Sequence, residues 1–174
     1  TTTELIASTA IYAADVVVTA VGFTTSGSGG APWKQNGTTG IASQTPAQLG
    51  LALFNDGNGN QWGFVPEDDG SILATALGAV GDGITINTAV LQAWLNAAIV
   101  SNSTAKLGSG TFLHGQLLIV VSQANRRVRV DLAGGILKAT ALTVSAIDLD
   151  GSTSRPSISV IGPGRFDGSN LVNS

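Results

Sequence analysis

Hydrophobic positions fall into two rhythms along this chain. Between Val90 and Ile99 the apolar residues are Val90, Leu91, Trp94, Leu95, Ala98 and Ile99, the one-sided spacing of an amphipathic helix. Asn87 stands where an N-cap belongs, Thr88 opens the helix, and Ser101-Asn102-Ser103 closes it. Elsewhere the apolar residues come in short runs broken by glycine, serine, asparagine and aspartate. Downstream, the runs at 110–113, 116–121, 128–132, 136–139, 142–149, 158–161 and 165–166 predict strands.

Upstream, β-branched residues 16–21 (VVVTAV) predict a strand, and residues 49–55 and 61–65 predict two more around the turn DGNGN at 56–60. Trp62 and Phe64 share one face of the returning strand. Residues 22–40 include glycines at 27, 29, 30, 37 and 40 and read as loop or hairpin with Trp33 as the single anchor. Residues 1–14 read as a short helix or extended arm that packs against a partner chain, since alone it is too short to be stable. The acidic, turn-forming PEDDG at 66–70 marks a boundary. Two units result: a small Gly-rich β module over 1–70, and a region over 71–174 built of the helix and later strands.

The later strands repeat. VRVDLAGGILK from Val128 and ISVIGPGRFDG from Ile158 overlay 30 residues apart. Val128 falls on Ile158, Val130 on Val160, Gly134 on Gly164 and Ile136 on Phe166. Apolar residues match at alternate positions, with a glycine at the same corner, as in a solenoid of stacked coils. A coil stack has an open apolar end. The lone amphipathic helix, with no second helix to pack on, is predicted to plug the end of a solenoid that starts just behind it.

Composition narrows the class. Of 174 residues 43% are hydrophobic, only 11% are charged and 23 are glycine, which suits a turn-rich β protein. The net charge of −3 gives no attraction to nucleic acid or an anionic membrane. Arg126, Arg127 and Arg129 form too short a cluster for a phosphate-binding stripe. Cysteine is absent, which removes disulfides and thiolate metal sites. Mean hydropathy is +0.31, yet the longest apolar run, 117–121, is far below the roughly 18 residues a spanning helix needs. No charged-then-apolar leader opens the chain. The apolar residues are therefore expected inside a core or between subunits.

Candidate chemistry is sparse. His114 is the one histidine, with no nucleophile motif and no second histidine near it, and reads as a loop residue. Asp148 and Asp150 in IDLDG share a face if the run is a strand. They are either a carboxylate pair for glycoside hydrolysis or strand-end and turn aspartates beside Gly151. Asp131 and Asp167 read as turn carboxylates. Asp82, between Gly81 and Gly83, reads as a ligand of backbone amides in a tight loop. Gly78, Gly81 and Gly83 lack the lysine and spacing of a phosphate loop. Trp94 is in phase with the helix core, while Trp33 and Trp62 are either sugar-stacking platforms or anchors of the module. No residue is assigned a catalytic, cofactor-binding or metal-binding role, and no cofactor is expected.

LGAVGDGITINTAVLQAWLNAA from Leu77, followed by GSGTFLHGQLLIV from Gly108, resembles the opening segment of the pectate-lyase-like right-handed parallel β-helix superfamily. The matching positions are Gly78, Ala79, Gly81, Asp82, Gly83, Thr85, Thr88, Leu91, Gln92 and Ala93, then Gly110, Thr111 and Phe112. The departures are Ile86 and Asn87, where the family has two aspartates, and His114 near its usual proline. Residues 16–23, 27–33 and 56–62 also follow the order of the prefix found in bacteriophage tailspikes and polysaccharide depolymerases. The resemblance implies a homotrimeric spike on the virion. Its N-terminal module attaches to a tail or baseplate protein, and its β-helix binds or cleaves a host surface polysaccharide. It also implies that catalytic carboxylates and the glycan groove lie on later coils, so that this chain is an inert N-terminal piece. Polysaccharide lyase, glycoside hydrolase and secreted pectate-lyase-like enzyme are the alternatives for the parent protein.

Overall fold

A computed structural model describes residues 1–13, 15–23, 29–120, 127–141, 148–150 and 157–168. The chain opens on helix α1 (Thr2–Ala7), started by a capping box in which Thr1 Oγ1 accepts from Glu4 N and the Glu4 carboxylate accepts from the Thr1 amino group. Of the two readings of this segment, short helix or extended arm, the helix holds, and it docks on its own chain. Leu5 and Ile6 are buried, Thr2 and Thr3 donate backbone N–H to the carbonyls of Gly22 and Phe23 at 2.9 Å, and Trp33 Nε1 donates to Thr2 Oγ1 at 3.2 Å. Docking on its own module supplies the stability the isolated segment lacks.

Four antiparallel strands follow: β1 (Val17–Ala20), β2 (Ala31–Thr38), β3 (Leu53–Asn55) and β4 (Asn60–Phe64), in the order β1-β2-β4-β3. Of the loop-or-hairpin expectation over 22–40, the hairpin holds: the second half forms β2, antiparallel to β1. β2 is a central strand, because Ala31, Trp33 and Gln35 alternate inward and both edges find partners. A bulge between Gln35 and Gly37 absorbs the awkward composition. The expected strand 49–55 also starts late. Thr45 and Gln48 form a capping box that nucleates helix α2 (Pro46–Leu49), ended by Gly50 at φ 67°. Inside the module Trp33, Phe54 and Trp62 are fully buried. Trp33 meets Phe54 and Phe64 edge-on, and Phe54 stacks on Trp62 with 6.1 Å between centroids.

From Ser71 every described strand is parallel. β5 (Ser71–Leu73) is followed by a 3₁₀ turn (Ala74–Leu77), β6 (Asp82–Ile86) and helix α3 (Thr88–Ser101). Then come β7 (Thr104–Lys106), β8 (Gly110–His114), β9 (Leu118–Val120), β10 (Arg127–Asp131), β11 (Gly135–Ala139), β12 (Asp148–Asp150), β13 (Ser157–Ile161) and β14 (Arg165–Asp167). They form three parallel sheets, which we call first (β5-β7-β10-β13), second (β6-β8-β11-β14) and third (β9-β12). The chain visits the sheets cyclically, one strand in each per coil.

The first coil runs β5, β6, α3, so the helix occupies the place that β9 and β12 take in later coils. The solenoid therefore starts ahead of the helix, at Ser71, and not behind it. Helix α3 packs on β5, β7, β8, β9 and β10, and on α2 of the module. Its burial is correspondingly wide: Ala93 and Ala97 are buried along with Leu91, Trp94, Leu95 and Ala98. One hydrophobic cluster runs from Leu5 through the module, α3 and the coils to Leu137.

The repeat inferred from sequence is half right in register. Val128 pairs with Ile158 and Val130 with Val160, as the overlay requires. In the next sheet Leu137, not Ile136, pairs with Phe166, while Ile136 pairs with Arg165. The corner after β13 is one residue shorter than that after β10, which shifts the second strand and keeps both inward-facing side chains inward.

Candidate functional site

The signature loop, the helix start and the first full coil meet at one junction. Asp82 holds the loop: its Oδ1 accepts from Ile84 N at 2.9 Å and Thr85 N at 2.7 Å, and its Oδ2 accepts from Thr85 Oγ1 at 2.7 Å. These donors, Thr85 first, keep its pKa below the usual carboxylate value. Asn87 sits at the N-cap position, but its side chain does not cap the helix. Buried, it spans the loop instead. Its Oδ1 accepts from Val80 N at 2.7 Å, and its Nδ2 donates to the carbonyls of Val80 and Thr85 at 3.0 and 2.7 Å. Thr88 Oγ1 accepts from Gly115 N at 2.6 Å, tying the helix start to the corner after β8.

His114 lies in this corner and is not a loop residue. It ends β8 with its side chain fully buried, in register with Ala139. Nδ1 donates to the Gly115 carbonyl at 2.5 Å, and Nε2 has no hydrogen-bond partner. Burial lowers its pKa, and the Gly115 carbonyl opposes that in part.

Asp56, which the sequence offers only as part of a turn, is a buried hub. Its carboxylate accepts from Asn58 N, Asn60 N, Asn60 Nδ2 and Trp62 Nε1, each at 2.9 Å. All three tryptophans are buried and donate inward, Trp33 to Thr2, Trp62 to Asp56 and Trp94 to the Ile72 carbonyl at 2.7 Å. None offers a face to a sugar. Asp131 accepts from Ala133 N at 2.9 Å, a turn role, and Asp167 stands 4.0 Å from Arg165. The side chains of Asp148 and Asp150, and of Arg126 and Arg127, lie outside the described residues, though β12 and β9 pair in parallel as strands. Lys106 reaches Glu67 at 3.1 Å and Asp69 at 3.3 Å across the module boundary, and both acids raise its pKa.

Beside a concavity of about 590 Å³ edged by Pro32, Val65, Pro66, Glu67, Asp68 and Asp69, the described residues line two more. One, of about 240 Å³, is an apolar cleft between the module and α3, lined by Leu51, Leu53, Phe64, Ile72, Ala97 and Val100 among others. The other, of about 170 Å³, is polar and lined by Asn102, Ser103, Thr104 and Arg129. Among the described residues no group of three or more His, Asp or Glu side chains is placed to hold a metal. The polar network at the junction fixes backbone, and the described carboxylates that border a concavity, Glu67, Asp68 and Asp69, lie away from it.

Three parallel sheets visited in turn define a parallel β-helix. No family model and no curated protein matches the chain. Among solved structures it is similar to WceF of Pantoea stewartii, described as a glycan biofilm modifying enzyme with a bacteriophage tailspike-like parallel β-helix fold. The TM-score is 0.54 at 15% identity, and the match covers 88% of this chain and 27% of that one. The chain thus spans about a quarter of the length of that structure, and at this identity the likeness is one of fold.

Proposed function

We propose that this chain is the N-terminal structural and attachment part of a phage tailspike. Residues 1–70 seat on a tail or baseplate protein of the virion. Residues 71–174 found the β-helix on which a host surface polysaccharide is recognised, with α3 as its cap, and three copies form the spike. The carrying observation is the shared core: α3 packs on both module and coils, so the module is a rigid mount for the stack rather than a tethered domain. A second observation supports a longer stack. Val130 and Leu137 are buried, yet their register partners Val160 and Phe166 on the last coil remain 43% and 37% exposed. In this reading further coils lie on those positions.

A polysaccharide lyase or glycoside hydrolase is the second reading, favoured by the glycan-modifying neighbour. In the first reading, incubating residues 1–174 with capsular or O-antigen polysaccharide yields no new reducing ends and no unsaturated sugars. Measurable cleavage would overturn the assignment of this part as non-catalytic. Light-scattering mass gives three times the 17.5 kDa chain, and a stable monomer argues against the spike.

A further inference from the structure

The two long parallel sheets differ on their outer faces. On the first sheet the inward row is Ile72, Ala105, Val130 and Val160 in register, which leaves Thr104, Lys106, Arg129, Asp131 and Ser159 facing outward. That face is mostly polar. On the second sheet Phe112 and Leu137 point inward and are fully buried. One outward row starts apolar at Ile86, and the other starts at Asp82, which is in register with Thr111. Ile86 is in register with Leu113, and Thr111 with Ile136. Ile84 and Ile86 are 80% and 66% exposed, and Val80 in the preceding loop is exposed as well. Leu113 and Ile136 are half-buried. Higher on the same face the rows turn charged, with Lys138 and Asp167 above Leu113, and Arg165 above Ile136. β6 is also the edge of its sheet, so one side of its backbone is unpaired.

We infer that the outer face of the second sheet over its first three coils, centred on Val80, Ile84, Ile86, Leu113 and Ile136, is the surface through which copies of this chain meet. The inference rests on the trimeric reading above and names the contact that reading needs. A chain with 11% charged residues has little polar surface to shield such a patch, and contiguous exposed apolar patches mark interaction sites. The occupant is a second copy because the face carries both signs of charge, Lys138 and Arg165 beside Asp82 and Asp167. A face of mixed sign complements another of mixed sign, whereas a strongly acidic or basic partner would meet repulsion from one set.

The test is the solution mass of residues 1–174 and of an Ile84→Asp/Ile86→Asp double variant. Both side chains are exposed, so the fold is retained, which circular dichroism and the melting temperature check. Ile11→Asp, at a residue 91% exposed on the module side, is the control and keeps the wild-type mass. The expected result is a threefold mass for wild type and control, and a folded single-chain mass for the double variant. A wild-type trimer that the double variant preserves overturns the surface but leaves the trimeric reading standing. A wild-type monomer overturns both. A wild-type dimer that the double variant splits keeps the surface and overturns the count of three. Should the double variant misfold, an Ile84→Cys chain treated with a short bis-maleimide decides the matter: copies crosslink if the surface is right and stay single if it is wrong.

Discussion

His114 shows how one buried side chain writes a pH dependence into the fold. Its folded pKa is depressed by burial while the unfolded chain keeps the ordinary value of 6.5. As pH falls below that value the unfolded state takes up a proton first. Stability is therefore full above the unfolded pKa, is lost as pH falls toward the folded pKa, and levels off below it. The expected outcome is that urea midpoints fall from about pH 7.5 to about pH 5, and that His114→Gln removes most of that slope. Equal slopes in the two proteins would show that His114 titrates alike in both states. Asp69 and Asp82, whose folded pKa values are lowered by their hydrogen-bond donors, lose their contributions only further down, below the ordinary carboxylate value, so the two windows separate. Asn87 carries another residue-scale lesson. Its position at the helix start is legible from sequence, but its use is not, because the loop atoms it binds, at Val80 and Thr85, come near only through the turn that Asp82 closes.

At the scale of the element, the corners control register. Gly110 has φ +125°, and a Cβ there would lie 2.6 Å from the Gly81 carbonyl oxygen of the coil beneath. Gly134 also has a left-handed φ, +86°, but nothing lies within 4 Å of its missing Cβ. Gly110→Ala therefore meets strain and collision together and is expected to cost about 3 kcal/mol or more. Gly134→Ala meets strain alone, about 1–2 kcal/mol. Denaturant unfolding of both variants measures the difference, and equal losses would mean the coils separate freely at that corner. The later strands were readable, since each of the seven downstream runs overlaps an observed strand, the run 142–149 only at 148–149 because 142–147 lie outside the described residues, whereas β5, β6 and β7 were not foreseen. That β2 is a central strand was not legible, because Pro32 and Gly37 argue against a strand interior, and only pairing on both edges overrides them.

For the whole molecule, the question is whether module and coils unfold as one. The cluster that joins Leu5 to Leu137 passes through α3 without a break, and Lys106 bridges to Glu67 and Asp69 across the boundary. A single cooperative transition is expected. Fluorescence of Trp33, Trp62 and Trp94 and far-ultraviolet circular dichroism should share one midpoint. Two separated midpoints would make residues 1–70 an independent unit.

Several features follow from local sequence alone. The amphipathic helix, the turn residues, the strand runs and the coil spacing each depend on the order of side chains over a few residues, and local spacing fixes which side chains face one way. The tertiary structure decided what those elements do. It put β5 and β6 in the coil stack ahead of the helix, buried α3 on two sides and turned β2 into a central strand. It slipped the second register by one residue and left Ile84 and Ile86 facing outward. Each of these depends on which segments come together across tens of residues, and hydrophobic period carries no record of the partner a face will meet.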